Sequence, residues 1–225
     1  MASGSVSQLA ISWGLYVITD RHQTLGRPLE EIIREAIKGG ARAFQLREKD
    51  LSAKELFELG SRLLRVTRKG GAKLLINDLV DVALALGADG VHLAQSSLSP
   101  RRVRRFLQKG MQLGVSCHSL VEAIEAEEGG ADFITLGPIF HTLSKARYGP
   151  PLGPGIINEA RKKVSIPIFA LGGIKASNVV EVMACGADGV AVISAIMGAK
   201  DVAQAVRELL GAVRGISLRS SVLGP

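Results

Sequence analysis

The chain has 225 residues, 47% of them hydrophobic, which is enough to bury one sizeable core, and lengths in this range routinely fold as one unit. A single domain over residues 1–225 is expected, with its core at about 15–212 and a short flexible tail at each end. The net charge of +7 suits nucleic acid, an anionic membrane surface or an acidic small ligand. An aromatic share of only 4% argues against a base-stacking surface, and no stretch approaches the ~18 apolar residues of a membrane span.

Met1 to Gln8 has neither a basic start nor a long apolar run, so a cytoplasmic location is expected. Cys117 and Cys185 have no metal-ligand or redox spacing and read as small core residues.

In chain order, Leu15 to Thr19 reads as a buried strand, and Leu29, Ile32, Ile33, Ala36 and Ile37 follow at helical spacing. Gly40-Ala41 opens a second strand-like run through Phe44, and Leu56, Leu59, Leu63 and Leu64 mark a second helix. Lys73 to Asn77 is a third strand, and Gly87-Ala88-Asp89-Gly90-Val91 leads into a fourth. Arg101-Arg102-Val103-Arg104-Arg105 reads as a helix whose arginines face solvent and whose Val103, Phe106 and Leu107 face inward; no nucleic-acid module surrounds it. Gln112 to Cys117, Gly130-Ala131-Asp132-Phe133-Ile134, Ile166 to Leu171 and Gly186-Ala187-Asp188-Gly189-Val190 supply the remaining strands.

The four Gly-Ala segments recur roughly every 45 to 55 residues, about two βα units. Each glycine can end a helix in the left-handed conformation and release the chain into a strand. Eight strands alternating with helices predict an α/β fold, a closed parallel (β/α)8 barrel of the TIM type. A doubly wound sheet should carry a Gly-rich dinucleotide loop after its first strand, and Thr19-Asp20-Arg21-His22 is not one.

Catalytic side chains in such barrels come from the C-terminal ends of the strands. After the second strand, alternation places Gln45, Arg47 and Lys49 on one side, where two cations beside an amide suit a diphosphate. A salt-bridge network with Glu48 and Asp50 is the other reading. After the third strand, Asn77-Asp78 offers an amide and a carboxylate; Asp78 suits Mg²⁺ or, alternatively, a helix N-cap. His92 and His118 adjoin strand ends and read as hydrogen-bonded structural residues, and Ser119 with Glu122 fits a capping box. The long polar loop from His141 through Thr142, Ser144 and Lys145 to Gly153 fits closure over an anion, or a surface insertion. Gly172-Gly173 after the seventh strand, with Ser194 after the eighth, suits a monophosphate held by backbone amides.

Gln45-Leu46-Arg47-Glu48-Lys49, Asn77-Asp78-Leu79-Val80-Asp81, Gly114-Val115-Ser116-Cys117-His118-Ser119, Gly137-Pro138-Ile139-Phe140, Leu171-Gly172-Gly173-Ile174 and Gly186 to Ile196 together resemble the thiamine phosphate synthase and thiazole tautomerase superfamily. The resemblance implies joining a hydroxymethylpyrimidine diphosphate to a thiazole phosphate, releasing pyrophosphate. It implies Arg47, Lys49, Asn77, Ser116 and Lys145 at the diphosphate, with Arg47, Lys49, Ser116 and Lys145 serving catalysis. It further implies Thr142 and Ser144 at the thiazole phosphate, Gly173 and Ser194 completing the phosphate sites, and Mg²⁺ on Asp78.

Ser97 stands where the synthases carry a second acidic ligand, which implies a weakened, single-carboxylate Mg²⁺ site. The strand-six loop is also similar to that of the tautomerase branch, whose catalytic histidine position is Pro138 here, leaving His141 as an alternative acid/base. A tautomerase and a non-catalytic phosphate binder are therefore the competing readings. Small phosphorylated partners are expected, without nucleic acid or membrane, in a possible homo-oligomer.

Overall fold

The structure, a computed structural model, describes residues 11–142 and 150–222, with side chains as far as residue 215. Eight parallel strands close a barrel in sequential order: β1 (Leu15–Ile18), β2 (Ala43–Leu46), β3 (Lys73–Asn77), β4 (Gly90–Leu93), β5 (Gln112–Cys117), β6 (Phe133–Leu136), β7 (Ile168–Leu171) and β8 (Gly189–Val192). Closure is by parallel pairing of β8 with β1, Val17 opposite Val192. The seventh strand starts two residues later than the apolar run suggests, because Pro167 has no N–H to give the ladder; its carbonyl still accepts from Ile134 N at 2.9 Å.

Helices pack around the strands: α1 (Leu29–Gly39), α2 (Ala53–Lys69), α3 (Val80–Leu86), α4 (Pro100–Arg104), α5 (Leu120–Glu128), α6 (Gly155–Arg161), α7 (Val179–Ala184), α8 (Ser194–Met197) and α9 (Val202–Val222). In α1 the apolar stripe Leu29, Ile32, Ile33 and Ala36 is buried, Glu30 and Glu31 lie in the first turn and Lys38 in the last, matching the helix dipole at both ends. Ser52 and Glu55 form a capping box at the start of α2, whose Leu56, Leu59, Leu63 and Leu64 are buried. Each such side chain contributes about 1.5–3 kcal/mol by leaving water. All four Gly-Ala glycines have positive φ, from 58° to 111°, as the repeat predicted.

The basic run is a correction. Its helix α4 stops at Arg104, so Val103 is buried but Phe106 is 67% exposed. Arg104 does not face solvent freely either; its guanidinium bonds the Gly130 carbonyl at 2.7 Å and pairs with Asp132, fastening α4 to the turn before β6.

The side chains fall into two layers. Outward-facing apolar residues meet the helices in one large core, while Tyr16, Ile18, Ala43, Leu75, Phe133, Phe169 and Ala191 fill the barrel interior. Trp13, just before β1, stacks on Phe169 at 4.6 Å and meets Phe133 edge-on at 5.1 Å, closing the N-terminal end. Gly114 on β5 makes room inside: a Cβ there would lie 2.4 Å from His92 Nδ1 and 2.5 Å from the Phe133 ring.

Candidate active site

Strand β2 ends at Leu46, so the side-to-side alternation expected for Gln45, Arg47 and Lys49 stops before the two cations. The chain turns there because Glu48 points inward, its carboxylate accepting from Arg21 N at 3.1 Å and from the Arg21 guanidinium at 3.2 Å. Asp50 also pairs with Arg21, which holds its carboxyl well below the usual range. The salt-bridge reading of this segment is thus half right: Glu48 and Asp50 are paired, but with Arg21 from the β1 loop. Arg47, half-buried, and Lys49, exposed, make no side-chain hydrogen bond or ion pair among the described residues.

Asp78 follows β3 with φ of 65°, a left-handed conformation rare for residues with a side chain and often found at functional positions. It does not cap α3; that position belongs to Leu79, which supplies no side-chain cap. Instead Asp78 Oδ1 accepts from the Ser97 hydroxyl, while Ser97 Oγ accepts from Ala94 N at 2.7 Å. Asn77 closes β3, half-buried, in register with His92.

Inside the mouth a chain of polar groups crosses five strands. Gln45 Nε2 donates to Tyr16 Oη at 3.3 Å, Tyr16 Oη lies 3.4 Å from His92 Nδ1, and His92 Nε2 lies 3.0 Å from Ser116 Oγ. Thr135 Oγ1 donates to Ser116 Oγ at 3.3 Å. Burial, reinforced by the Arg47 charge, lowers the His92 pKa to about 3, so the ring is neutral. Burial also pushes the Tyr16 phenol far above its ordinary value.

Ser116 and Thr135 open into a cavity of about 680 Å³ at the C-terminal end of β5 to β8, lined also by Pro138, His141, Thr142, Gly173 and Ser194. Its wall is built by the segment after β6 crossing the end of β7: Ile139 N bonds Leu171 O at 2.8 Å and Phe140 N bonds Gly172 O at 3.0 Å. Gly173 must be glycine, for its φ is 68° and a Cβ would sit 2.7 Å from Phe140 Cβ and 2.9 Å from the His141 carbonyl. The peptide before Pro138 is cis. A separate cavity of about 340 Å³ at the opposite end is lined by Trp13 and Phe169. It lies away from the strand ends that carry these polar groups.

Residues 15–196 match the family model described as thiamine monophosphate synthase. The chain belongs to that family. A thiamine-phosphate synthase of Moorella thermoacetica is 47% identical over 88% of this chain and 94% of its own, and one of Chloroflexus aurantiacus is 44% identical over 88% and 92%. The solved thiamine phosphate pyrophosphorylase of Pyrococcus furiosus superposes with a TM-score of 0.81 at 40% identity, covering 94% of this chain and 98% of its own. Membership makes the protein a transferase of thiamine biosynthesis.

On this family member the expected residues form two groups. Arg47, Lys49, Asn77 and Asp78 lie at the ends of β2 and β3; Thr142, Gly173 and Ser194 line the cavity beside β6 to β8, and Ser116 stands between. Gln45 is 2% exposed and bonded inside the barrel. Ser144 and Lys145 lie outside the described residues.

The capping box at α5 is only half formed. Ser119 Oγ accepts from Glu122 N, but the Glu122 carboxylate turns to His118, bonding both its backbone N and Nδ1. Sequence reasoning missed Lys175, two residues beyond the Gly172-Gly173 pair, and Gln23, from the β1 loop, which both line the cavity. It also missed Tyr16, which reads from sequence as an ordinary apolar strand position.

Among the described residues no group of three or more His, Cys, Asp or Glu gathers to hold a metal. Asp78 alone still fits Mg²⁺, which takes one or two carboxylates together with phosphate oxygens and water. Oδ1 is engaged by Ser97 and Oδ2 has no hydrogen bond among the described residues. No described helix is long and apolar enough to cross a membrane.

Proposed function

We propose that this transferase makes thiamine phosphate by joining a hydroxymethylpyrimidine diphosphate to a thiazole phosphate. The observation that carries the reading is the pairing of Glu48 and Asp50 with Arg21, which leaves Arg47 and Lys49 un-neutralised at the mouth beside Asn77 and Asp78. Two uncompensated cations next to a carboxylate call for a multiply charged anion bridged by a divalent cation.

In the reaction the bond from the pyrimidine methylene to the diphosphate oxygen breaks, and its electron pair leaves with the pyrophosphate. The thiazole nitrogen then gives its lone pair to the methylene carbon. Arg47, Lys49 and Ser116, with Lys145, meet the charge that grows on the leaving oxygens, and Gln45 and Asn77 orient the pyrimidine diphosphate. Bound Mg²⁺ on Asp78 would supply further neutralisation of the diphosphate. The thiazole phosphate sits in the cavity by Thr142, its oxygens meeting the amides of Gly173 and Ser194, and Ser144 is a further ligand by the family resemblance alone. The segment after β6 that crosses the end of β7 walls the cavity on that side. The enzyme acts on small phosphorylated substrates in the cytoplasm.

The test is product formation from both substrates, with Mg²⁺ and with EDTA, in the wild type, Asp78→Ala and Arg47→Ala. Mg²⁺-dependent thiamine phosphate that falls by about 10²-fold or more in both variants supports the reading. Absence of product from folded wild-type protein at high Mg²⁺ overturns it.

A further inference from the structure

His92 and Ser116 are 3.0 Å apart, the serine lining the cavity and the histidine buried behind it, and have the spacing of a histidine base beside a serine nucleophile. Their surroundings set the opposite polarity. Ser116 Oγ has two lone pairs and one proton. Thr135 donates its one proton to a lone pair of Ser116 at 3.3 Å, so its oxygen, 3.4 Å from His92 Nε2, can meet the ring only as an acceptor. If the serine proton is directed to an anionic oxygen in the cavity, His92 Nε2 can meet Oγ only as a donor. A neutral ring with its proton on Nε2 has a bare Nδ1, which accepts the Tyr16 hydroxyl proton across 3.4 Å. The Tyr16 oxygen in turn accepts from Gln45 Nε2 at 3.3 Å. Each proton along Gln45, Tyr16, His92 and Ser116 then points the same way, toward the cavity.

We infer that, with a phosphorylated substrate bound, His92 is the Nε2–H tautomer and holds the Ser116 hydroxyl as a hydrogen-bond donor to the substrate's anionic oxygens. His92 is therefore a positioning residue, Tyr16 fixes its tautomer, and the serine is not a nucleophile. The space that admits the ring is the missing Cβ of Gly114, 2.4 Å from Nδ1. Ser116 is the strand end where the two groups of polar residues meet, so a donor oriented there serves the departing pyrophosphate. The inference rests on the phosphorylated-substrate reading above.

The test is ¹⁵N NMR of histidine-labelled protein with saturating inorganic pyrophosphate and Mg²⁺, assigned with His92→Gln. A proton on Nε2 and a bare Nδ1 are expected. A proton on Nδ1 with pyrophosphate bound overturns this inference and leaves the synthase reading intact. Failure of pyrophosphate to bind overturns both.

Kinetics provide the second arm. His92→Leu should lower kcat by about 10–100-fold, as expected for a disoriented hydrogen bond to a charged group. Gln carries an amide donor near the Nε2 position, so His92→Gln should recover most of that loss, and Ser116→Ala should add little to His92→Leu. Equal loss in the Leu and Gln variants would show a merely structural histidine.

Discussion

Replacing Ser97 by aspartate tests how a single carboxylate manages the metal. The Ser97 hydroxyl donates to Asp78 Oδ1, so a carboxylate at this position would bring two negative charges to within about 4 Å. At that separation unit charges repel by about 1 kcal/mol in water and about 4 kcal/mol at an effective dielectric of 20. Both positions are half-buried, so S97D should lose about 2 kcal/mol of stability without metal. The new carboxylate can still accept from Ala94 N, which bonds Ser97 at 2.7 Å in the wild type. Mg²⁺ between the two carboxylates relieves the repulsion, so its affinity should rise at least tenfold, about 1.4 kcal/mol. Urea unfolding across a Mg²⁺ titration, run beside the Mg²⁺ dependence of synthase turnover, reads both effects. If folded S97D shows the wild-type metal midpoint in both assays, Asp78 is not the Mg²⁺ residue.

Arg21→Ala removes the guanidinium that neutralises Glu48 and Asp50, so their charges compete for Arg47 and Lys49 even though Glu48 keeps the backbone N–H of residue 21 and Asp50 keeps His22. Its KM for the pyrimidine diphosphate should rise about tenfold while that for the thiazole phosphate is unchanged; equal shifts in both would refute the division of the site. Gly173→Ala drives a Cβ into Phe140 and the His141 carbonyl at a left-handed position. It should lose about 2–4 kcal/mol of stability and raise the KM for the thiazole phosphate, measured by chemical denaturation and steady-state rates.

Acid should also report on His92. Its pKa is about 6.5 when unfolded and about 3 when folded, so the unfolded chain binds the extra proton first. The stability is fully present above pH 6.5 and is lost on acidification from there toward pH 3, at up to about 1.4 kcal/mol per unit. Denaturation at pH 7 and pH 5 should show a smaller loss in His92→Gln than in the wild type; identical losses would mean that the ring is charged when folded.

The sequence by itself determined the architecture, because local rules repeat eight times along it. Apolar runs of strand length, helical stripes such as Leu29 to Ile37, and Gly-Ala turns each act over a few residues, and a closed barrel needs only their alternation. The rim residues were legible for the same reason, since a strand's C-terminal end is also its last apolar position. Tertiary structure alone decided the pairings. Arg21 and Glu48 are 27 residues apart and His92 and Ser116 are 24 apart, and no periodicity links residues of different strands. Whether Arg47 is neutralised, whether Asp78 caps a helix or meets Ser97, and whether Ser116 donates or attacks depend on which neighbours share the barrel mouth. Hydrogen bonds and charges act over a few ångströms of space, whatever the distance along the chain.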